Sequence, residues 1–168
     1  MTQLDLLRAD KDDFFAHHPQ SPLTPAQKRT FRGLHYFDAS PALRLEVTVE
    51  PFAKPEEIEV QTSTGDVRVY TRHGRFKFNV DGQEGELTIF ETEHGYFLPF
   101  VDSLAGTETY PAGRYLDPEP LDGNRFLVDF NLAYNPYCAY NDAWSCPLTP
   151  FENRLKVPIR AGEKIFHD

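Results

Sequence analysis

The stretch from Leu43 to Leu98 limits the fold more than any other part of the chain. It opens with Leu43-Arg44-Leu45-Glu46-Val47-Thr48-Val49-Glu50, in which apolar and polar residues alternate strictly. That period of two puts one face of a strand on a core and the other in water. Ile58 and Val60 continue it, and residues 67–70, 76–80, 87–90 and 96–98 repeat it. The breaks between these runs are Thr64-Gly65-Asp66, His73-Gly74, Asp81-Gly82-Gln83-Glu84-Gly85 and His94-Gly95. Each is short and holds a glycine able to take a positive φ, as tight hairpins need. Connections this short predict an antiparallel meander, because a parallel sheet needs long crossovers.

Helices are expected only at the start. Residues 3–17 place Leu4, Leu7, Phe14 and Phe15 roughly on one face and Asp5, Asp12 and Asp13 elsewhere. Pro19 and Pro22 end this helix. Thr24, Pro25 and Gln27 form a capping box with proline at the first helical position, which starts a second short helix that Gly33 would close. Beyond the meander, residues 113–116 and 125–130 read as strands, and Leu155, Val157 and Ile159 alternate in a last one. Pro158 marks that last strand as an edge or a bulge. The expected fold is mainly β: an antiparallel meander curling into a barrel or sandwich, with two short N-terminal helices packed on it. It forms a single domain over residues 1–168, with a helical segment at 1–33, the β-meander at 43–160 and a long loop at 131–154.

That loop belongs to the most unusual segment, D-F-N-L-A-Y-N-P-Y-C-A-Y-N-D-A-W-S-C-P-L-T-P-F-E-N-R at 129–154. It holds both cysteines and the one tryptophan of the protein. A loop so long and aperiodic is uncommon in a compact domain unless it is functional or packed on itself. Tyr134, Tyr137 and Tyr140 recur every third residue, so a helical or 3₁₀ turn would bring them to one side. Glu152-Asn153-Arg154 sets an acid, an amide and a guanidinium before a strand. Arg154 is suited to gripping a carboxylate or phosphate with its planar fork. The competing explanation is that asparagines cap turns, a Glu–Arg pair holds the loop, and the aromatics fill a second small core. A further cluster spans residues 102–117, where Asp102 or Glu108 is positioned to pair with Arg114.

Composition excludes several classes. A chain 40% hydrophobic and 26% charged is globular rather than disordered. A net charge of −9 opposes a phosphate backbone, so nucleic acid is not an expected partner. The opening M-T-Q-L-D-L-L-R-A-D-K-D-D has early acids and no long apolar run. Neither a secretory signal nor a membrane span is expected there, and the cytoplasm is the expected compartment. In that compartment Cys138 and Cys146 are free thiols by default. Their C-x₇-C spacing, with no His-x₃₋₅-His nearby, does not suit zinc, and no metal or cofactor is called for. A catalytic thiol needs a base, and of the six histidines two fall in predicted hairpin turns and one near the C-terminus, so most are expected to be solvated.

Several longer runs resemble a known family. They are F-R-G-L-H-Y-F at 31–37, D-S-L-A-G-T-E-T-Y at 102–110, G-R-Y-L-D at 113–117, D-F-N-L-A-Y-N-P-Y-C-A-Y at 129–140, C-P-L-T-P-F-E-N-R-L at 146–155 and I-R-A-G-E-K at 159–164. Together they resemble the prokaryotic family catalogued as domain of unknown function sixteen eighty-four. The resemblance implies a single soluble prokaryotic domain and assigns no activity, substrate or cofactor.

The functional expectation is a small-molecule-binding β-domain with a pocket near the 129–154 loop, taking a small polar or anionic ligand. Arg114, Asn131, Tyr134, Asn135, Tyr140, Glu152, Asn153 and Arg154 are its expected contacts. One alternative is a hydrolase or lyase using carboxylate or thiol chemistry, with Glu152, Asp129, Cys138 and Cys146 as catalytic candidates. Another is an interaction or scaffold domain. Oligomeric state is not fixed by these patterns.

Overall fold

The computed structural model describes residues 1–167. Its first helix, α1 (Gln3–His17), has the predicted limits. Thr2 caps it, accepting from the Asp5 amide while the Asp5 carboxylate accepts from the Thr2 amide. The second, α2 (Pro25–Thr30), starts on the expected capping box of Thr24 and Gln27. It stops before Gly33, whose φ of 118° turns the chain away.

Eight strands follow: β1 (Arg44–Thr48), β2 (Glu50–Gln61), β3 (Val67–Val80), β4 (Gln83–Thr92), β5 (Gly95–Phe100), β6 (Arg114–Leu116), β7 (Glu119–Pro120) and β8 (Arg125–Asp129). Strands β2 to β6 form one antiparallel sheet in sequence order, which is the predicted meander. The β3–β4 turn is built by Asp81 at φ 51° and Gly82 at φ 82°, the two positive angles of a tight hairpin. The strand β1 does not join this sheet. It pairs with β8, Leu45 opposite Val128, and β7 lies on the other side of β8. Neither sheet closes into a barrel. The predicted β-structure therefore splits, and both sheets turn their apolar faces onto one core. Val47 from β1, Phe126 and Val128 from β8, and Phe76, Phe78, Leu87, Ile89, Leu98 and Phe100 from β3–β5 meet there.

Two expected features are absent. His73-Gly74 is not a turn: β3 runs through it with a bulge against β4. The glycine is required there by close approach, because a Cβ at residue 74 would lie 2.6 Å from Val49 Cγ1 and 2.7 Å from the Glu50 carbonyl oxygen. The last strand over Leu155, Val157 and Ile159 does not form either. All three side chains are buried as the alternation requires. The backbone, however, bonds only at intervals, as in Leu155 N–H to Val101 O (2.7 Å) and Ser103 N–H to Val157 O (3.1 Å). With no N–H on Pro158, the segment is an extended strap rather than a rung of the sheet.

A second, smaller cluster joins the helices to the long loop. Phe15, Leu23, Leu34 and Tyr140 are buried together, and the Phe15 and Tyr140 rings meet edge to face at 4.9 Å.

Candidate functional site

The 129–154 segment folds as three short 3₁₀ turns, Phe130–Leu132, Tyr137–Ala139 and Phe151–Asn153, joined by extended chain. Its four asparagines hold backbone. Asn153 is fully buried. Its Oδ1 accepts from Thr88 N–H (2.8 Å), and its Nδ2 donates to the carbonyls of Thr88 (2.9 Å) and Pro99 (2.8 Å). Asn131 donates through Nδ2 to Ser40 O and Asp129 Oδ1 and accepts from Ser40 N–H. Asp129 also accepts from the Asn131 amide. Glu152 is gripped on both oxygens by Arg72, Nε to Oε1 at 3.1 Å and Nη2 to Oε2 at 2.6 Å, and also accepts from Thr88 Oγ1. Arg154 is exposed.

Arg114 is almost fully buried. It donates to the carbonyls of Ile159, Ala161 and Glu163, and Asp102 Oδ2 lies 3.7 Å from it. Burial pulls the guanidinium down to about 10, against the opposing pull of Asp102 and Glu163. This guanidinium is a clamp on the C-terminal strap. The residue at the centre of that region, Glu163, lies in the I-R-A-G-E-K run but is not among the expected site residues; it is 1% exposed. Its Oε2 accepts from Lys11 Nζ (3.0 Å) and Asn135 N–H (2.6 Å), and its Oε1 from Tyr140 O–H (2.7 Å). A lone acid in an aperiodic terminus carries no periodic signal that would have marked it.

The cysteines are not free thiols. Cys138 and Cys146 pair as a disulfide with Cα atoms 6.3 Å apart, within the usual range for such a bond. The loop between them turns back sharply enough to bring the sulfurs together, and this local geometry outweighs an argument from compartment. Beside it, Ser63 N–H bonds to Cys146 O, and Asp66 accepts from Thr62, Thr64 and Ser145 hydroxyls. Those hydroxyls hold the Asp66 carboxyl well below the usual carboxylate range. Of the four catalytic candidates, then, two are bonded to each other, Asp129 caps a turn, and Glu152 faces Arg72. Among the described residues no group of three or more His, Cys, Asp or Glu side chains is placed to share a metal ion. None of the described helices is long and apolar enough to cross a membrane.

What the loop does border is an open cavity of about 320 Å³ against the sheet. Its walls are aromatic: Tyr70 from β3, Phe97 from β5, Tyr115 from β6, and Tyr134, Tyr137 and Trp144 from the loop. The rings lock edge to face, Tyr70 on Phe97 (5.6 Å), Phe97 on Tyr115 (4.8 Å), Tyr115 on Tyr134 (5.8 Å) and Tyr137 on Trp144 (5.1 Å). Tyr115 O–H donates to the Pro147 carbonyl, fixing sheet to loop. Burial pushes the Tyr115 and Tyr134 phenols upward, so both stay protonated at neutral pH. Asn135 also lines the space, and its Oδ1 is buried without a partner among the described residues. At the rim, Arg68 donates through Nη2 to Ser145 O (3.1 Å). Of the expected ligand contacts, the structure brings Tyr134 and Asn135 to this cavity and leaves the others elsewhere. Arg68 and Tyr70 were missed, although their i, i+2 spacing on a strand puts them on one face.

The motifs that build these walls also place the protein among known families. Residues 29–164 match the family described as Protein of unknown function (DUF1684). The chain belongs to this family. A solved relative agrees: the solution NMR structure of an uncharacterised protein of Haloarcula marismortui is 39% identical. The match covers 96% of this chain and 92% of that one, with a TM-score of 0.71. No curated protein matches. For a DUF1684 domain these likenesses carry fold and family, and they assign no activity.

Proposed function

We propose that this DUF1684 domain binds a small, planar, anionic molecule in the aromatic cavity under the 134–147 loop. One observation carries the reading. Arg68 stands at the mouth of a cavity with six aromatic walls, and no acidic side chain pairs with it among the described residues. Arg72, Arg75, Arg125 and Arg160 each lie within 4 Å of a carboxylate in this acidic protein. An unpaired guanidinium beside a cluster of edge-to-face rings is a fitting receptor for a flat carboxylate. The rings take the flat body by stacking, and the fork takes the charge.

Trp144 is the only tryptophan, so its fluorescence reports on this cavity alone. Phenylacetate at millimolar concentration is expected to shift that emission, and phenylacetamide to do so more weakly. Arg68→Gln should erase the difference between them. An emission that phenylacetate leaves unchanged, or a response identical for acid and amide, would sink the proposal.

A further inference from the structure

A second cavity, of about 260 Å³ and also lined by Tyr134, lies between α1 and the Phe130–Leu132 turn. Its mouth is aliphatic. Leu7 and Leu132 are 48% and 46% exposed there, and Leu4 and Ala133 extend the apolar lining inward. Its inner end is polar. Arg8 comes from the second turn of α1, and its guanidinium carbon lies over the Tyr36 ring, 4.4 Å from the centroid. Nη1 of Arg8 donates to the Phe37 carbonyl at 3.1 Å. Nε and Nη2 of the same group, and the Tyr36 hydroxyl, are buried with no partner among the described residues.

The geometry points to a binding site for an aliphatic monocarboxylic acid, its carboxylate on the Nε–Nη2 edge of Arg8 and the Tyr36 hydroxyl, its tail along Leu4, Leu7 and Leu132. The free Nε–Nη2 edge of Arg8 presents two parallel N–H groups. Elsewhere in this protein the same edge of Arg72 holds both oxygens of Glu152, at 3.1 and 2.6 Å. A carboxylate is therefore the partner that satisfies Arg8 in full, and its spare lone pairs accept from Tyr36. Burial first, then the charges of Glu163 and Asp12, push the Tyr36 phenol above its ordinary value, so it remains a donor. A buried donor without an acceptor costs roughly 1–3 kcal/mol, more when charged, which makes three of them around one cavity informative.

Charge also selects the ligand. Glu163 lines the same space, and its negative charge opposes an anion. It is already engaged by Lys11, Asn135 and Tyr140, and Lys11 adds a second cation at the wall. A single negative charge fits this balance better than a phosphate dianion would. The aliphatic lining favours a straight chain over a flat ring, unlike the aromatic cavity.

Calorimetric titration of the full chain with octanoate, and with octanol as the uncharged probe, tests the assignment. Octanoate is expected to bind at least about tenfold more tightly than octanol, the difference that one charge-assisted pair supplies. Arg8→Met should remove that preference. Tyr36→Phe deletes a hydroxyl that has no partner, so it should leave thermal stability unchanged or raised while still weakening octanoate several-fold. This variant separates a ligand contact from a structural role and does not depend on Arg8→Met folding normally. Octanoate and octanol binding equally, or Tyr36→Phe binding octanoate as the parent does, would overturn the proposal. Arg68→Gln should leave octanoate binding intact, so failure at either cavity is read independently of the other.

Discussion

At the scale of single residues, the polar groups differ in how many donors remain unspent. Arg114 and Asn153 direct theirs to backbone carbonyls, whereas Arg8 and the exposed Arg68 each give one donor to a carbonyl and keep others beside cavities. The difference is visible only in three dimensions, since all four look alike in a sequence. Arg114→Lys tests the structural half. Lysine keeps the charge opposite Asp102, yet its single ammonium cannot span the Ile159, Ala161 and Glu163 carbonyls. A stability loss of about 3 kcal/mol or more is expected from stranding buried acceptors, read as a shift in the urea midpoint. A loss below about 1 kcal/mol would mean that the strap does not depend on the clamp.

At the scale of elements, local signals were legible and long-range ones were not. The limits of α1, the capping box that starts α2 and the β3–β4 hairpin all follow from residues within a few positions of each other. The departure of β1 to pair with β8 depends on a partner some eighty positions away, and no period in either strand encodes it. The 155–159 alternation predicted burial correctly and hydrogen bonding incorrectly, because period two reports which side is wet and not whether a ladder partner exists. The candidate site shows the same divide. The 129–154 segment was recognised from its aromatic and amide content, but its charged partner at the cavity, Arg68, comes from a different element. The disulfide is also an element-scale feature, since it fixes the loop that forms one wall. Closing so short a loop should contribute about 2–3 kcal/mol by restricting the unfolded chain. Reduction, or the double substitution Cys138→Ser with Cys146→Ser, should lower the urea midpoint accordingly. It should also broaden the Trp144 emission, because Trp144 lies between the two cysteines.

Across the whole molecule, burial of phenols gives the protein an alkaline limit. Burial is the first cause raising Tyr36, Tyr115, Tyr134 and Tyr140 above their ordinary value of 10.0. A group whose folded value exceeds its unfolded value contributes stability that is complete below the unfolded value and lost above it. The unfolded chain releases these protons near pH 10 while the folded chain retains them, so rising alkalinity favours unfolding. Stability should hold from neutrality to about pH 10 and then fall steeply, with phenolate absorbance appearing together with loss of the fold. Phenolate absorbance from all eight tyrosines before any unfolding would contradict this.

The edge of the larger sheet has a consequence for how copies of the protein meet. The strand β2 is that edge, and its outer rim of backbone groups is a template on which another strand can grow. Along it stand Glu50, Glu56, Glu57 and Glu59 against a single Lys54, and two prolines, Pro51 and Pro55, remove donors where the pairing with β3 slips. A second molecule offering its own β2 would bring the same four carboxylates face to face with their counterparts before one backbone bond could form. An edge built this way opposes pairing between two β2 strands, and so guards the sheet against acting as a seed for fibres.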